Sequence, residues 1–282
     1  MKKTIVAILI AVLVVAIGGA LCFAGLSAVQ FNFSKLDRTE YFTNTYTFSE
    51  PIREIDMDVH TADVELLAAE DGVCKVVCSE HDQERYQVSS ENGRLIIRPA
   101  DSRRDWTLFS LPFKSPKISV YLPAGAYDLV KAQLDSGDIT ADRALSFGTV
   151  DVSLDTGDLT FSGVQVQRVK VHSDTGDIRL GDTAPESADL SVHTGKIDIF
   201  NVVCTGDLRC ESTTGDIRLT DVDGANLYLK ADTGSISGTI RTEKVFYAKS
   251  STGSVKVPEG TSGGRCEAYT GTGSIRLSIS GK

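Results

Sequence analysis

The chain of 282 residues is 41% hydrophobic and 24% charged, which is ordinary globular usage and excludes a small disulfide-dependent scaffold or a disordered chain. Its net charge of −9 leaves no global attraction for phosphate backbones, so we expect no nucleic-acid partner. The 25 glycines against 7 prolines predict many tight turns.

The amino terminus is an uncharged, mostly apolar run from Thr4 to Val29 that follows two lysines. A helix of this length crosses a bilayer, and the lysines predict that its start stays cytoplasmic. The sequence therefore predicts a single-pass protein of the cell membrane, with residues 1–29 as a signal anchor and the bulk extracytoplasmic. A cleaved signal peptide is the alternative, because Gly18-Gly19-Ala20 offers a small-residue cleavage site.

The segment after the anchor is less regular than the rest of the chain. Residues 30–49 are typical of a linker. Residues 50–129 are predicted to be a capping β region made of degenerate copies of the repeat that follows, with Ala62 in place of a corner glycine. Within the cap, Asn92-Gly93 predicts a hairpin turn, and Ile118 to Leu122 is a predicted strand that Pro123 closes.

Residues 130–282 contain a unit of Thr or Ser, Gly, an acid or other polar residue, and an aliphatic residue, repeated every 19 or 20 positions. The repeated glycines are Gly137, Gly157, Gly176, Gly195, Gly215, Gly234, Gly253 and Gly273.

Apolar residues alternate with polar ones on both sides of each glycine. The apolar residues lie an odd number of positions before the glycine and an even number after it, so the set of positions that faces inward switches at the glycine. Each repeat is therefore predicted to supply two short strands joined at a glycine corner. One repeat cannot bury its own apolar face, so stacking is required. The fold prediction is all-β, a single-stranded, parallel β-solenoid of 19–20-residue rungs after an N-terminal transmembrane helix. An antiparallel meander with the same turns stays open as an alternative.

The cysteines show no metal or redox motif. Five follow Cys22, and none forms a CxxC pair or a zinc-finger spacing. Cys74 and Cys78 lie on one face of a predicted strand but about 13 Å apart, too far for a disulfide. We interpret these cysteines as small core residues.

The anchor, the segment Asn92 to Ile97, the segment Ile118 to Gly125 and the serial Thr-Gly-Asp-Ile rungs together resemble a bacterial family named "putative adhesin", whose function is not known. The resemblance spans about residues 50 to 280 and implies a β-solenoid, with some members encoded beside cell-envelope stress systems. It offers no established catalytic residues to carry over. Later rungs have Ser235, Ser254 and Ser274 in place of the acid, which weakens any function that needs a continuous acidic ladder.

Acid pairs flank three consecutive glycine corners and would align in stacked rungs. Oxygen ligands suit Ca²⁺, and a cation would relieve repulsion between the rungs, so the pairs predict a calcium ladder. The alternative is that these acids hydrogen-bond the backbone in a solvated corner. The six residues are Asp135, Asp138, Asp155, Asp158, Asp174 and Asp177.

An apolar segment with the single tryptophan of the chain interrupts the predicted cap. If it is exposed, Trp106, Phe109 and Phe113 beside Arg103 and Arg104 would form a partner-binding loop. If it is buried, the same residues would close the end of the solenoid.

Catalysis has little support in the sequence. His60 and His193 stand two residues before a corner, where other rungs often carry Asp, and are interpreted as turn substitutions. His81 and His172 belong to no motif, and no hydrolase elbow, zinc helix or phosphate loop occurs. A polysaccharide-acting enzyme that uses the acids stays open only as the weakest alternative.

The leading hypothesis is a noncatalytic cell-envelope surface module that presents its solenoid to cell-wall polymer or another protein, for adhesion or scaffolding. The alternative is a regulatory accessory protein of a membrane envelope-stress sensor or transporter. No cofactor is expected apart from the calcium ions of the ladder hypothesis. The C-terminal rung lacks an evident cap, so its strand edge predicts a homodimer.

Overall fold

The computed structural model describes residues 14, 15, 17–20, 23, 27, 40–81, 84–100 and 115–280. Across this part of the chain, no helix combines the length and the apolar character that a membrane crossing requires. The predicted anchor lies largely outside the described residues, as do residues 30–39 of the predicted linker, and membrane anchoring stays a prediction.

The described residues form 23 strands. The strands before the regular repeat are β1 (Phe42–Phe48), β2 (Glu54–Thr61), β3 (Asp63–Ala68), β4 (Cys74–Glu80), β5 (Tyr86–Glu91), β6 (Arg94–Pro99) and β7 (Lys117–Leu122). The strands of the first six regular repeats are β8 (Ala126–Ser136), β9 (Ile139–Ala141), β10 (Ser146–Thr156), β11 (Leu159–Ser162), β12 (Gln165–Thr175), β13 (Ile178–Thr183), β14 (Ser187–Thr194), β15 (Ile197–Val202), β16 (Leu208–Thr214), β17 (Ile217–Val222), β18 (Leu227–Thr233) and β19 (Ile236–Ile240). The last strands are β20 (Lys244–Thr252), β21 (Val255–Lys256), β22 (Gly264–Thr272) and β23 (Ile275–Ile279).

The strands form two sheets, one of 12 strands and one of 11. In the regular repeat, each rung gives its first strand to the 11-stranded sheet and its second to the 12-stranded sheet, and equivalent strands pair in parallel, as β10 does with β8 and β12. The predicted all-β, parallel stacking is therefore confirmed for the repeat. At the amino-terminal end the sheets are mixed, because β1, β4 and β5 pair antiparallel.

The core lies between the two sheets, where the predicted inward positions meet. The aliphatic residues two positions after the corner glycines are fully buried in most rungs, as Ile178, Ile197 and Ile217 are. Removing this apolar surface from water is the main stabilising contribution to the stack. The exception is Val255, which is 43% exposed because β21 is the last strand of its sheet.

The corner glycines hold a backbone conformation that other residues rarely adopt, with φ between 128° and 150°. The amide of Gly195 donates to the Thr214 carbonyl of the next rung at 2.9 Å. A Cβ atom added to Gly195 would collide with the carbonyl oxygen of Gly176 in the rung before it. Glycine is required here both by φ and by the close approach of successive rungs.

In three consecutive rungs the second corner is formed by Asp or Asn, a feature that the glycine spacing does not predict. Asp182, Asn201 and Asp221 have φ of 52°, 52° and 57°, a left-handed conformation that Asp and Asn tolerate better than most residues. Asn201 Nδ2 donates to Asp182 Oδ1 at 2.7 Å, which links these corners between rungs.

The amino-terminal end differs from the predicted linker and cap. Residues 42–48 of the predicted linker form β1, which pairs with β4. Strands β2 and β3 form an ordinary rung inside the stack, between β8–β9 and β6–β7, so the capping region is partly regular solenoid. The hairpin prediction is confirmed, since Asn92 and Gly93 both have positive φ between β5 and β6.

The carboxyl-terminal end has a rung order that differs from the chain order. The last rung in sequence, β22–β23, lies between β18–β19 and β20–β21. The open edge at this end therefore belongs to β20 and β21, which corrects the expectation that the final strands form it. In this order Leu227 and Leu229 of β18 oppose the buried Cys266 and Ala268 of β22, which leaves β20 and β21 at the edge. Dimerisation through this edge stays a prediction.

A buried ion pair connects the end rung to the body of the stack. Lys244 Nζ lies 2.7 Å from Asp223 Oδ1, and the side chains are only 5% and 11% exposed. Burial alone would raise the pKa of Asp223, but hydrogen bonds from Lys244, Thr242 and the Gly224 amide outweigh it and leave the pKa below its ordinary value. The pair joins β20 to the segment before β18, although β22 separates these strands in the sheet.

The substitution Gly195→Ala tests the corner. We expect it to lower the free energy of unfolding by on the order of 3 kcal/mol, because alanine would hold an unfavourable φ against the neighbouring carbonyl. Urea unfolding of the full-length chain measures the change. Gly125→Ala is the matched control, since a Cβ there meets open space. Equal losses in both variants would contradict the role given to the corner.

The substitution Lys244→Met tests the buried pair. It leaves the Asp223 carboxylate without its cation, and we expect a loss of about 3 kcal/mol at pH 7. In the wild type the pKa of Asp223 is lowered by folding, so the pair contributes its full stabilisation above pH 3.8, the ordinary pKa of the group. This contribution is lost as the pH falls through the lower pKa of the folded state. The difference between variant and wild type should therefore shrink towards low pH. Lys249→Met, on the exposed side of β20, is the control, and a pH-independent difference would count against this explanation.

Candidate functional surfaces

The acids after the glycine corners form a hydrogen-bonded ladder along the stack. Asp138 Oδ1 accepts the amide of Asp158 at 2.9 Å, Asp158 Oδ1 accepts the amide of Asp177 at 2.7 Å, and Asp177 Oδ1 accepts the amide of Lys196 at 2.8 Å. These carboxylates hydrogen-bond backbone, as the alternative interpretation held, but the backbone belongs to the next rung. One oxygen of each acid is thereby occupied with joining rungs.

The acids before the corners lie apart from this ladder. Asp135, Asp155 and Asp174 belong to the 11-stranded sheet, in β8, β10 and β12. Across the described residues, one set of at least three potential metal-ligating side chains has its ligand atoms within 4.8 Å, and Asp174 is the only one of the six predicted acids in it. Calcium binding by the six acids stays a prediction.

A groove of about 330 Å³ lies beside the acid ladder. Its lining balances acids against bases and is formed by Asp158, Thr160, Asp177, Ile178, Arg179, Lys196, Asp198 and Arg218. Arg179 also lies 4.9 Å from the centroid of the Phe200 ring. The groove therefore presents mixed charge rather than the uniformly acidic surface that a hard cation prefers.

Two histidines meet Asp174 on the outer surface of the 11-stranded sheet. His172 Nε2 lies 3.1 Å from Asp174 Oδ1, and His193 Nδ1 lies 2.9 Å from the same oxygen. The two imidazole rings are T-shaped, with centroids 5.4 Å apart. His172 belongs to no sequence motif, but the structure places it in contact with Asp174 and His193.

The sequence did contain a signal for this cluster. His172 and Asp174 are two residues apart and point to one side of β12, while His193 occupies in the next rung the position that Asp174 occupies in its own. Comparing outward positions across neighbouring rungs, and not only along the chain, would have brought the three together.

The predicted partner-binding residues Trp106, Phe109, Phe113, Arg103 and Arg104 lie outside the described residues. Their role in binding, or in closing the solenoid, stays a prediction.

A tyrosine face lies on the outer surface of the 11-stranded sheet at its carboxyl-terminal end; we define it as Tyr228, Tyr247 and Tyr269 with the charged residues between them. Among the described strands, the exposed large apolar side chains are Tyr247, Val255 and Tyr269, all in the last two rungs. The register places Glu267 between Tyr228 and Tyr247. Apolar exposure is therefore concentrated at one end of the solenoid.

Basic residues alternate with these rings. Lys230 and Lys249 flank Tyr269 on its two neighbouring strands. The guanidinium of Arg209 lies 4.9 Å from the Tyr228 ring, and that of Arg265 lies 5.1 Å from the Tyr247 ring. Glu211 and Glu267 each pair with one of the arginines and Asp232 pairs with Lys230, so bases outnumber acids on the tyrosine face by one.

The five described cysteines are free and buried, which confirms their prediction as core residues. Burial raises the pKa of Cys74 to about 11 and the pKa of Cys78, Cys204 and Cys266 to about 12. Burial also raises the pKa of Cys210 well above its ordinary value. These thiols stay neutral at physiological pH and are poor nucleophiles.

Solved structures are similar to this chain, and the first of those named here, with a TM-score above 0.5, shows a shared fold. A "putative adhesin" from Bacteroides fragilis is 16% identical, with a TM-score of 0.57 over 85% of this chain and 97% of that chain. A "putative adhesin" from Parabacteroides distasonis is 13% identical, with a TM-score of 0.49 over 86% and 98% of the two chains. A "putative lipid binding protein" from the same species is 15% identical, with a TM-score of 0.49 over 86% and 98%.

No curated protein is similar in sequence. A family model described as Toastrack DUF4097 matches residues 52–281, which include both sheets from β2 to the last strand. The match confirms the family resemblance that the glycine rungs indicated. The chain belongs to the Toastrack DUF4097 family.

Proposed function

We propose that the chain is a noncatalytic surface module of the cell envelope whose tyrosine face binds an anionic cell-wall polymer. The observation that carries the proposal is the concentration of exposed Tyr247 and Tyr269 among basic residues at one end of the solenoid. Aromatic side chains with a polar tip are typical of binding surfaces, where they supply contact area at little entropic cost.

Charge favours an anionic partner over a neutral one. The whole chain carries a net charge of −9, so most of its surface repels an anionic polymer. The tyrosine face has a local excess of one positive charge, since four bases stand against three acids there: Arg209, Lys230, Lys249 and Arg265 against Glu211, Asp232 and Glu267. Binding would therefore be directed to one end of the stack, with the polar groups of the polymer on the bases and its apolar faces on the rings.

The noncatalytic part of the proposal rests on what the candidate groups already do. Asp138, Asp158 and Asp177 each use a carboxylate oxygen to bind the backbone of the next rung. The thiols with raised pKa lie in the core, where no substrate reaches them. Stacked rungs with short corners also form a regular scaffold that suits presentation of a surface.

The chain with Tyr247→Ala and Tyr269→Ala tests the proposal. We expect the full-length double variant to cosediment with bacterial cell-wall fragments at least about tenfold less than the wild type, because two central contact residues are removed. Binding should also weaken as salt is added, since the attraction is electrostatic.

Tyr121→Ala is the control, because this tyrosine belongs to the 12-stranded sheet at the other end of the stack. Undiminished binding by the double variant would contradict the proposal. Copurification of a stoichiometric membrane sensor or transporter, dependent on residues 4–29, would instead favour the regulatory accessory function.

A further inference from the structure

We propose that His172, Asp174 and His193 form a binding site for a divalent transition-metal ion, with Zn²⁺ as the representative ion. The three side chains bring two imidazole nitrogens and a carboxylate oxygen within 4.8 Å of one another. This donor set suits zinc and its neighbours, whereas Ca²⁺ prefers oxygen alone.

The solenoid register holds the site in place. His172 and Asp174 project from the outer side of β12. The pairing of Thr175 with Thr194 places His193, on β14, beside Asp174. Because both strands lie inside a continuous parallel sheet, their Cα positions are fixed by backbone hydrogen bonds. Sites built on such elements are more precise than sites on loops.

Ser191 orients one of the ligands. Its Oγ lies 2.9 Å from His172 Nδ1 and 3.4 Å from the Val171 carbonyl oxygen. Without a metal ion, Nε2–H of His172 donates to Asp174 Oδ1 and Nδ1 accepts from the Ser191 hydroxyl. With an ion on Nε2, Nδ1–H would instead donate to Ser191 Oγ, whose own proton would turn to the Val171 carbonyl. A second hydrogen bond of this kind is what metal-binding histidines ordinarily have.

The distances require little adjustment. Zinc binds nitrogen and oxygen at about 2.0–2.2 Å, which separates tetrahedral ligand atoms by about 3.4 Å. The two nitrogens lie 3.1 Å and 2.9 Å from Asp174 Oδ1, so outward shifts of a few tenths of an ångström would admit the ion. A cation at this position would be coordinated by His172 Nε2, His193 Nδ1 and the Asp174 carboxylate together.

The site is open to solvent. The side chains of His172, Asp174 and His193 are 41%, 54% and 60% exposed. With three protein ligands, at least one coordination position stays available for water or for an acidic group of another molecule. The ion would therefore be exchangeable, and it would lie on the same sheet surface as the tyrosine face.

Calorimetric titration of the untagged full-length chain with ZnCl₂, after treatment with EDTA, tests this proposal. We expect one ion per chain in the wild type and a dissociation constant at least about tenfold weaker in His193→Gln and Asp174→Asn. Ser191→Ala should weaken binding without removing a ligand. Millimolar Ca²⁺ should not displace the ion.

His60→Gln is the matched control, because His60 occupies the same position before its corner but lies outside the cluster. Co²⁺ gives a second readout, since its visible absorption in the wild type should be lost in His193→Gln. Circular dichroism checks that each variant is folded. Equal affinity of the wild type and His193→Gln, or the absence of saturable binding to the wild type, would overturn the proposal.

Discussion

The close approach of backbone at the glycine corner is the constraint on which the rest of the structure depends. At Gly195 the amide bonds the next rung while the Cα faces the carbonyl oxygen of the previous one, so no side chain fits. At the corner, the set of alternate positions that faces the core switches within one residue. The corner also keeps each rung in register with its neighbours. The buried columns, the two sheets and the alignment of outward side chains follow from that register.

Aligned outward side chains give the solenoid its chemistry. In most of the repeat, a residue on the outer surface has its cross-strand neighbours 19 or 20 positions away in sequence, so sites arise between rungs. The Asp158 carboxylate bonds an amide of the next rung, His193 joins Asp174 across two strands, and Tyr269 lies between two lysines. The stack is a surface on which one substitution in one rung changes a local cluster while the backbone stays the same.

The repeat made much of the fold predictable from sequence. The glycine spacing identified the corners, and the alternation around them identified inward residues such as Ile178 and Ile197. Spacing shows which residues are equivalent, but it does not show which rung lies beside which. The position of β22–β23 between β18–β19 and β20–β21 was therefore unpredictable, and so was the position of the β2–β3 rung between β8–β9 and β6–β7. The tyrosine face was missed for the same reason, because it depends on the exchanged rungs. The histidine cluster lies on rungs that are consecutive in sequence, so a comparison of their outward positions would have predicted it.

The central claim is that the β22–β23 rung lies between β18–β19 and β20–β21, and that this order determines which side chains are neighbours on the outer surface at the carboxyl-terminal end. Paired cysteine substitutions in the full-length chain test it most directly. Lys230→Cys with Tyr269→Cys joins register partners on β18 and β22, whereas Lys230→Cys with Lys249→Cys joins strands that β22 separates. Partners on adjacent strands lie about 4.8 Å apart, within reach of a disulfide, and strands two apart exceed it. The account predicts an intramolecular disulfide in the first variant under mild oxidation and none in the second, and the reverse result would contradict it.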